Sequence, residues 1–135
     1  MGVLIAKLRG LDEALADKLK AEGLKDSDLF LEAASTPKGR KELAAKCEVD
    51  TKAILQLANR ADLARVKGVA GVFGDLLEVA GVDTVKELAT RRPDNLHKKM
   101  VETNAEQKIA GRNPTMSDVE GWVAQAKELP KTLQY

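Results

Sequence analysis

Leu4, Leu8, Leu11, Leu15 and Leu19 recur at spacings of three and four, the period of one helical face. The same period runs on through most of the chain, while the alternation that marks a strand is nearly absent. Gly23-Leu24 ends the first run. Asp28 to Ala34 reads as a short helix stopped near Pro37, and Pro37 opens the next one, Lys38 to Cys47, because proline is tolerated in a first turn. Asp50 or Thr51 caps a helix through Ala53, Ile54, Leu57 and Ala58, and Asp62 caps a short one through Leu63 and Val66. Thr84 with Glu87 forms a capping box, and Pro93 opens a helix holding Leu96, Met100 and Val101. Asn113-Pro114 marks a loop. Ser117 with Glu120 forms a second box, ahead of the apolar face of Val119, Trp122, Val123 and Ala126. Pro130 ends that helix and leaves Lys131 to Tyr135 as a loose tail. The pattern predicts one all-α domain over residues 1–130, with about eight to ten short helices.

Glycines interrupt this helical background. The stretch LARVKGVAGVFGDLLEVAGV, residues 63–82, holds Gly68, Gly71, Gly74 and Gly81. Each glycine costs a helix interior about 0.5–1 kcal/mol relative to alanine, so the chain must turn there or approach something closely. An internal repeat accounts for part of the pattern. RGLDEALADKLKAEGL, from Arg9, aligns with KGVAGVFGDLLEVAGV, from Lys67, at a constant offset of 58. Gly10 matches Gly68, Asp17 matches Asp75, Leu19 matches Leu77 and Gly23 matches Gly81. Gly23 and Gly81 fit helix C-caps, and Gly74 sits mid-helix, where a small residue permits close packing. A blander reading makes residues 4–19 one continuous amphipathic helix with Gly10 inside it.

The repeated order is a short apolar helix, a basic residue, a Gly-apolar turn, a longer helix and a Gly-apolar exit. It resembles the helix-hairpin-helix motif. Val66-Lys67-Gly68-Val69-Ala70-Gly71, followed by Phe73, Leu76 and Leu77, is the closer match, and Leu8-Arg9-Gly10-Leu11-Asp12 the looser one. Two such motifs joined by connecting helices resemble the tandem helix-hairpin-helix (SAM-like) domain of DNA repair and recombination proteins. The resemblance implies a first hairpin at about 3–24, connectors at 27–61, a second hairpin at 62–82 and C-terminal helices at 84–129. The stretches ANRADLARVKGV, GVDTVKELATRRPDNLH and VEGWVAQAKELP, in this order, also resemble an uncharacterised bacterial family known as a domain of unknown function. That second resemblance implies a fold and no activity.

The resemblance implies a phosphate clamp. A helix that begins at a tight turn has unpaired N–H groups and the positive end of its dipole there, which suit a phosphate. The backbone of Gly68, Val69, Ala70 and Gly71 would hold it, with Arg65 and Lys67 supplying charge. Such contacts read no bases, so binding should be sequence-independent and salt-sensitive. Arg9, Gly10 and Leu11 form the weaker counterpart. The pattern in DNA binders is Gly-apolar-Gly, and the second glycine is replaced here by Ala70 and Asp12. With Glu13 and Asp17 beside it, Asp12 puts negative charge where a phosphate would sit.

Composition narrows the partners. A net charge of +1 does not announce a polyanion partner, but residues 36–69 carry eight Lys/Arg against four Asp/Glu, while residues 1–35 carry five against seven. The local excess of positive charge therefore leads into the second hairpin. Aromatics make up 3%, too few for a surface that stacks bases. Cys47 is the lone cysteine, so no internal disulfide forms. No signal segment or bilayer-length apolar run is present, and Ala6 stands where a myristoylation signal carries Ser or Thr. We read the protein as cytoplasmic.

Catalytic signals are missing from the sequence. His97 lacks an orienting carboxylate and nucleophile, and no zinc spacing, Walker loop or dinucleotide fingerprint occurs. His97 reads as a surface residue, Cys47 as a small buried one and Trp122 as the anchor of the last helix. The basic run RRPDNLHKK, residues 91–99, reads as a solvated face. The expectation is a non-enzymatic DNA-backbone binder with no cofactor or metal. The rival is a protein-interaction scaffold that keeps the hairpins without the phosphate site. A continuous basic patch joining Arg9, Arg65 and Lys67 would favour the first, and an apolar patch the second.

Overall fold

A computed structural model describes residues 3–69 and 71–134. Among these residues a 3-10 turn, Ile5–Lys7, precedes eight α-helices: α1 Glu13–Ala21, α2 Ser27–Ala33, α3 Pro37–Cys47, α4 Thr51–Leu63, α5 Val72–Val79, α6 Val85–Thr90, α7 Pro93–Gln107 and α8 Met116–Glu128. Among the described residues the only strand-like pairing is one bridge between Leu4 and Asp26. Side chains of Asp12, Asp26, Thr36, Thr84 and Thr115 accept backbone N–H groups at the starts of α1, α2, α3, α6 and α8. These local bonds explain where most helices begin.

The eight helices form two halves of like construction. Leu8 N–H bonds Ile5 O and Val66 N–H bonds Leu63 O, 58 positions on. Gly10 and Gly68 follow these turns with φ of +88° and +99°. Leu24 N–H closes on Leu19 O behind α1, as Val82 N–H closes on Leu77 O behind α5. Gly23 and Gly81 both hold positive φ there, the geometry of a helix C-terminal turn. Asp26 caps α2 through Leu29 N–H, and Thr84 caps α6 through Glu87 N–H. Then α3 and α7 each start at a proline and end on a left-handed residue, Glu48 and Lys108. Helix α2 packs on α4 and α6 on α8; α3 packs on α4 and α7 on α8. Each half encloses its own core. Ile5, Leu19, Phe30, Cys47 and Ile54 belong to the first, and Leu63, Leu77, Leu88, Met100 and Trp122 to the second.

Several expectations are corrected. The leucine period at residues 4–19 is not one helix, because Gly10 turns the chain between Lys7 and Glu13. Asp62 opens no helix: α4 runs on to Leu63, and the buried Asp62 carboxylate accepts Arg65 and the Val85 N–H. The second capping box is Thr115 with Asp118, reciprocal at 3.0 Å each way, rather than Ser117 with Glu120. Asp118 can return the bond to Thr115 N–H directly after Pro114, which sets the helix start two residues early. At Thr84 the reciprocal half is missing, since the Glu87 carboxylate turns to Arg91. Residues 131–134 are not loose either. Leu133 is buried in the first core, Gln134 N–H bonds Ser35 O at 2.7 Å, and the buried Arg40 donates to Gln134 O at 2.7 Å. The C-terminal segment therefore crosses back and ties the second half to the first.

Candidate functional site

The second turn sits between α4 and α5. Lys67 is exposed, and its backbone N–H is taken by Gln125 Oε1 of α8 at 3.0 Å. Gly68 lies against the indole of Trp122, so closely that a Cβ would come within 2.9 Å of Nε1. This packing, together with the positive φ, explains the glycine without a ligand. Val69 is buried, and its N–H bonds Val66 O at 3.3 Å. Ala70 lies outside the described residues. Gly71 is the exposed N-cap of α5 with φ −103°, and among the described residues no side chain caps that helix. Gly74 lets the helix meet the turn: a Cβ there would lie 2.3 Å from Val69 O. Phe73, in the first turn of α5, stands 5.4 Å from the Trp122 ring, and the Arg112 guanidinium lies 4.9 Å over Phe73.

The expected cations are not gathered into one free patch. Arg65 donates to Asp62 at 2.8 Å, to Pro130 O at 2.8 Å and to Thr132 at 3.2 Å, so it clamps the C-terminal segment. Arg9 reaches across to Asp75 of α5, with Nη2 at 2.6 Å and Nε at 2.9 Å. The nearly buried Arg60 binds the same carboxylate and also Glu78 at 3.3 Å. Burial pushes the Asp75 carboxyl up, but the hydrogen bonds and charges of Arg9 and Arg60 outweigh it and hold it below the usual range. Of Arg9, Arg65 and Lys67, Lys67 alone carries a side chain that enters no ion pair or hydrogen bond among the described residues.

The first turn differs at one decisive place. Asp12 Oδ1 accepts Leu15 N–H at 2.7 Å and so fills the N-terminus of α1 with the chain's own carboxylate. Position 70, its partner in the repeat, is alanine. Gly10 meets only Leu57 at 3.8 Å from an added Cβ, and Leu11 is half-buried against the first core.

Sequence comparison identifies the family. A family model described as a domain of unknown function (DUF4332) matches residues 9–129, a span that includes all eight helices. The chain belongs to this family. Neither curated proteins nor solved structures give a match.

Beyond the turns, this DUF4332 domain binds its remaining candidate residues internally. His97 is half-buried, with Nε2 3.0 Å from Pro114 O. Arg91 pairs with Glu87 and Arg92 with Asp94, as the solvated-face reading expects. Cys47 is fully buried, and that burial pushes its thiol up. Among the described residues no cluster of His, Cys, Asp or Glu could hold a metal, and no helix is long and apolar enough to cross a membrane. Sequence reading missed Arg112, Gln125 and Arg60 at this site. Arg112 adjoins Asn113-Pro114 and read as loop; the other two lie on helix faces whose neighbours periodicity does not name.

Proposed function

We propose that the two halves are tandem helix-hairpin-helix units, and that the second binds a nucleic-acid backbone without sequence preference. The observation that carries this reading is the contrast between the two helix N-termini. At α1 one donor, Leu15 N–H, is taken by Asp12; at α5 no side chain among the described residues accepts a first-turn amide, with exposed Lys67 beside the turn and Arg112 over Phe73. A phosphate at α5 would bind the amides ahead of Gly74, whose own N–H, the counterpart of the one Asp12 takes at α1, already bonds Gly71 O at 3.0 Å. The donors are then the amides of Gly71, Val72 and Phe73, because those of Lys67, Val69 and Gly74 are already bonded. Lys67 supplies charge, whereas Arg112 is partly balanced by Asp118 at 3.5 Å. Arg65 drops out as a contact, and Arg9 with Gly10 and Leu11 serves structure.

The scaffold reading has its own support. Arg9 and Arg65 are both committed to internal partners, and Asp75 lies in the first turn of α5. Anisotropy with a labelled duplex and a labelled single strand, at low and near-physiological salt, separates the two. The decisive variant is Gly71→Asp, which gives α5 a carboxylate of its own. An added Cβ at Gly71 meets nothing within 4 Å, so the fold should tolerate it. DNA binding with a steep salt slope, lost in Gly71→Asp and in Lys67→Glu, supports the clamp. No binding at low salt, or binding unchanged in Gly71→Asp, overturns it.

A further inference from the structure

A second feature lies away from the turn. A groove of about 360 Å³ opens between α6, the C-terminal end of α8 and the docked segment 129–133. Its volume falls at the small end of the ~300–1,000 Å³ typical of ligand pockets. Val85, Ala89, Ala126, Leu129 and Leu133 make its floor apolar. Around the mouth stand Lys86, Lys127 and Lys131, all exposed and without an ion pair among the described residues. The one carboxylate in the lining, Asp62, is already balanced: Oδ1 accepts Arg65 and Oδ2 accepts Val85 N–H. The groove therefore joins an apolar floor to an uncompensated positive rim. Thr132 Oγ1 accepts Arg65, which leaves its own hydroxyl proton free to donate to a ligand. Arg65 also carries a buried Nε with no partner, so the wall of this groove is the one described place where a buried side-chain donor goes unsatisfied.

We propose that this groove binds a small amphipathic monoanion, a carboxylate on a medium-length apolar chain. The chain would lie on Ala89 and Ala126, and the head group would sit among the three lysines near Thr132. A nucleotide is too polar for this apolar floor, and a neutral hydrophobe would leave the lysine rim unused.

The test uses the full chain and octanoate as the probe, followed by amide chemical shifts in two-dimensional NMR. Octanol, inorganic phosphate and a short single-stranded DNA are titrated in parallel. The proposal expects saturable shifts at Ala89, Ala126, Lys127 and Thr132 with octanoate, and at least tenfold weaker binding of octanol and of phosphate. Lys86→Glu/Lys127→Glu should weaken octanoate about tenfold while the rest of the spectrum stays in place. Ala89→Phe, which fills the floor, should abolish binding, and its spectrum reports directly whether it is folded. Absence of saturable shifts overturns the proposal. So does octanol binding as well as octanoate, phosphate binding as well as octanoate, or DNA moving the same amides more tightly than octanoate.

Discussion

Leu133→Ala tests whether the C-terminal segment holds the two halves together. Leu133 is buried in the first core although its sequence neighbours in α8 serve the second. Leucine-to-alanine changes in cores cost about 2–5 kcal/mol, and a chain-end site can collapse partly around the lost methyl groups, so about 2 kcal/mol is expected. Truncation after Pro130 removes more: the Gln134 N–H bond to Ser35 O and the Arg40 bond to Gln134 O. It also releases ordered residues whose backbone restriction costs about 1–2 kcal/mol each. The two effects oppose, so truncation is read by whether the two probes move together. The assay is urea unfolding followed by far-UV circular dichroism and by Trp122 fluorescence. The two probes matter because Trp122 lies in the second core and Leu133 in the first. If the segment couples the halves, both transitions move together. A shift below about 0.5 kcal/mol, or a shift seen by dichroism and not by Trp122, refutes the argument.

Other outcomes follow from single contacts. Gly68→Ala should destabilise more than Gly10→Ala: both force a left-handed residue at about 1–2 kcal/mol, but only Gly68 also drives a Cβ into Trp122, and denaturant midpoints will rank them. Asp75 has a depressed carboxyl, so its contribution to stability is present above the unfolded-state value and is lost as pH falls through the folded one. Asp75→Asn should flatten the acid limb of the stability–pH curve, and an unchanged limb would contradict the Arg9–Asp75–Arg60 cluster. Asp12→Ala should cost about 1 kcal/mol through loss of the α1 cap, read by thermal unfolding. Cys47, buried with a raised thiol, should react with a disulfide reagent at pH 8 only as fast as the domain opens, so mild urea should accelerate labelling steeply.

Most of the helices were legible because their signals are local. Pro37, Pro93 and Thr84 each act within one or two turns, and all open helices in the structure. The errors arise where a distant group competes. Asp62 looks like a cap, yet burial beside Arg65 and Val85 N–H gives it better partners than its own helix start. Residues 131–134 carry one apolar side chain, too little for periodicity to register, and they are fixed by Arg40 and Ser35 from far along the chain. At the candidate site the glycines were legible and the charges were not. Arg9 read as a free cation because its partner Asp75 lies 66 residues away, and Arg65 because Asp62, three residues before it, read as a helix cap while the Pro130 carbonyl lies 65 residues on.

The repeat was visible over one helix and its flanks, and the structure extends the likeness to four helices per half. Sequence alignment loses it after α2 and α6 because the spacing between paired helices changes: Pro37 pairs with Pro93, but Thr51 pairs with Met116. Inside the cores, paired positions keep the same burial with different side chains, as Ile5 with Leu63 and Phe30 with Leu88. A core asks only for apolar volume, so it tolerates such exchange. The surface ends of the helices obey no such rule. Arg9 and Lys67 are a pair in the repeat, but one is locked to Asp75 and the other is unpartnered among the described residues; Asp12 and Ala70 are another, and only one can cap. Two halves that share a scaffold but differ at these positions present one satisfied helix end and one open helix end. In the proposed clamp a ligand seeking backbone donors meets the second half, and Gly71→Asp, which adds a carboxylate at that helix end, is the substitution that tests the proposal without touching the core.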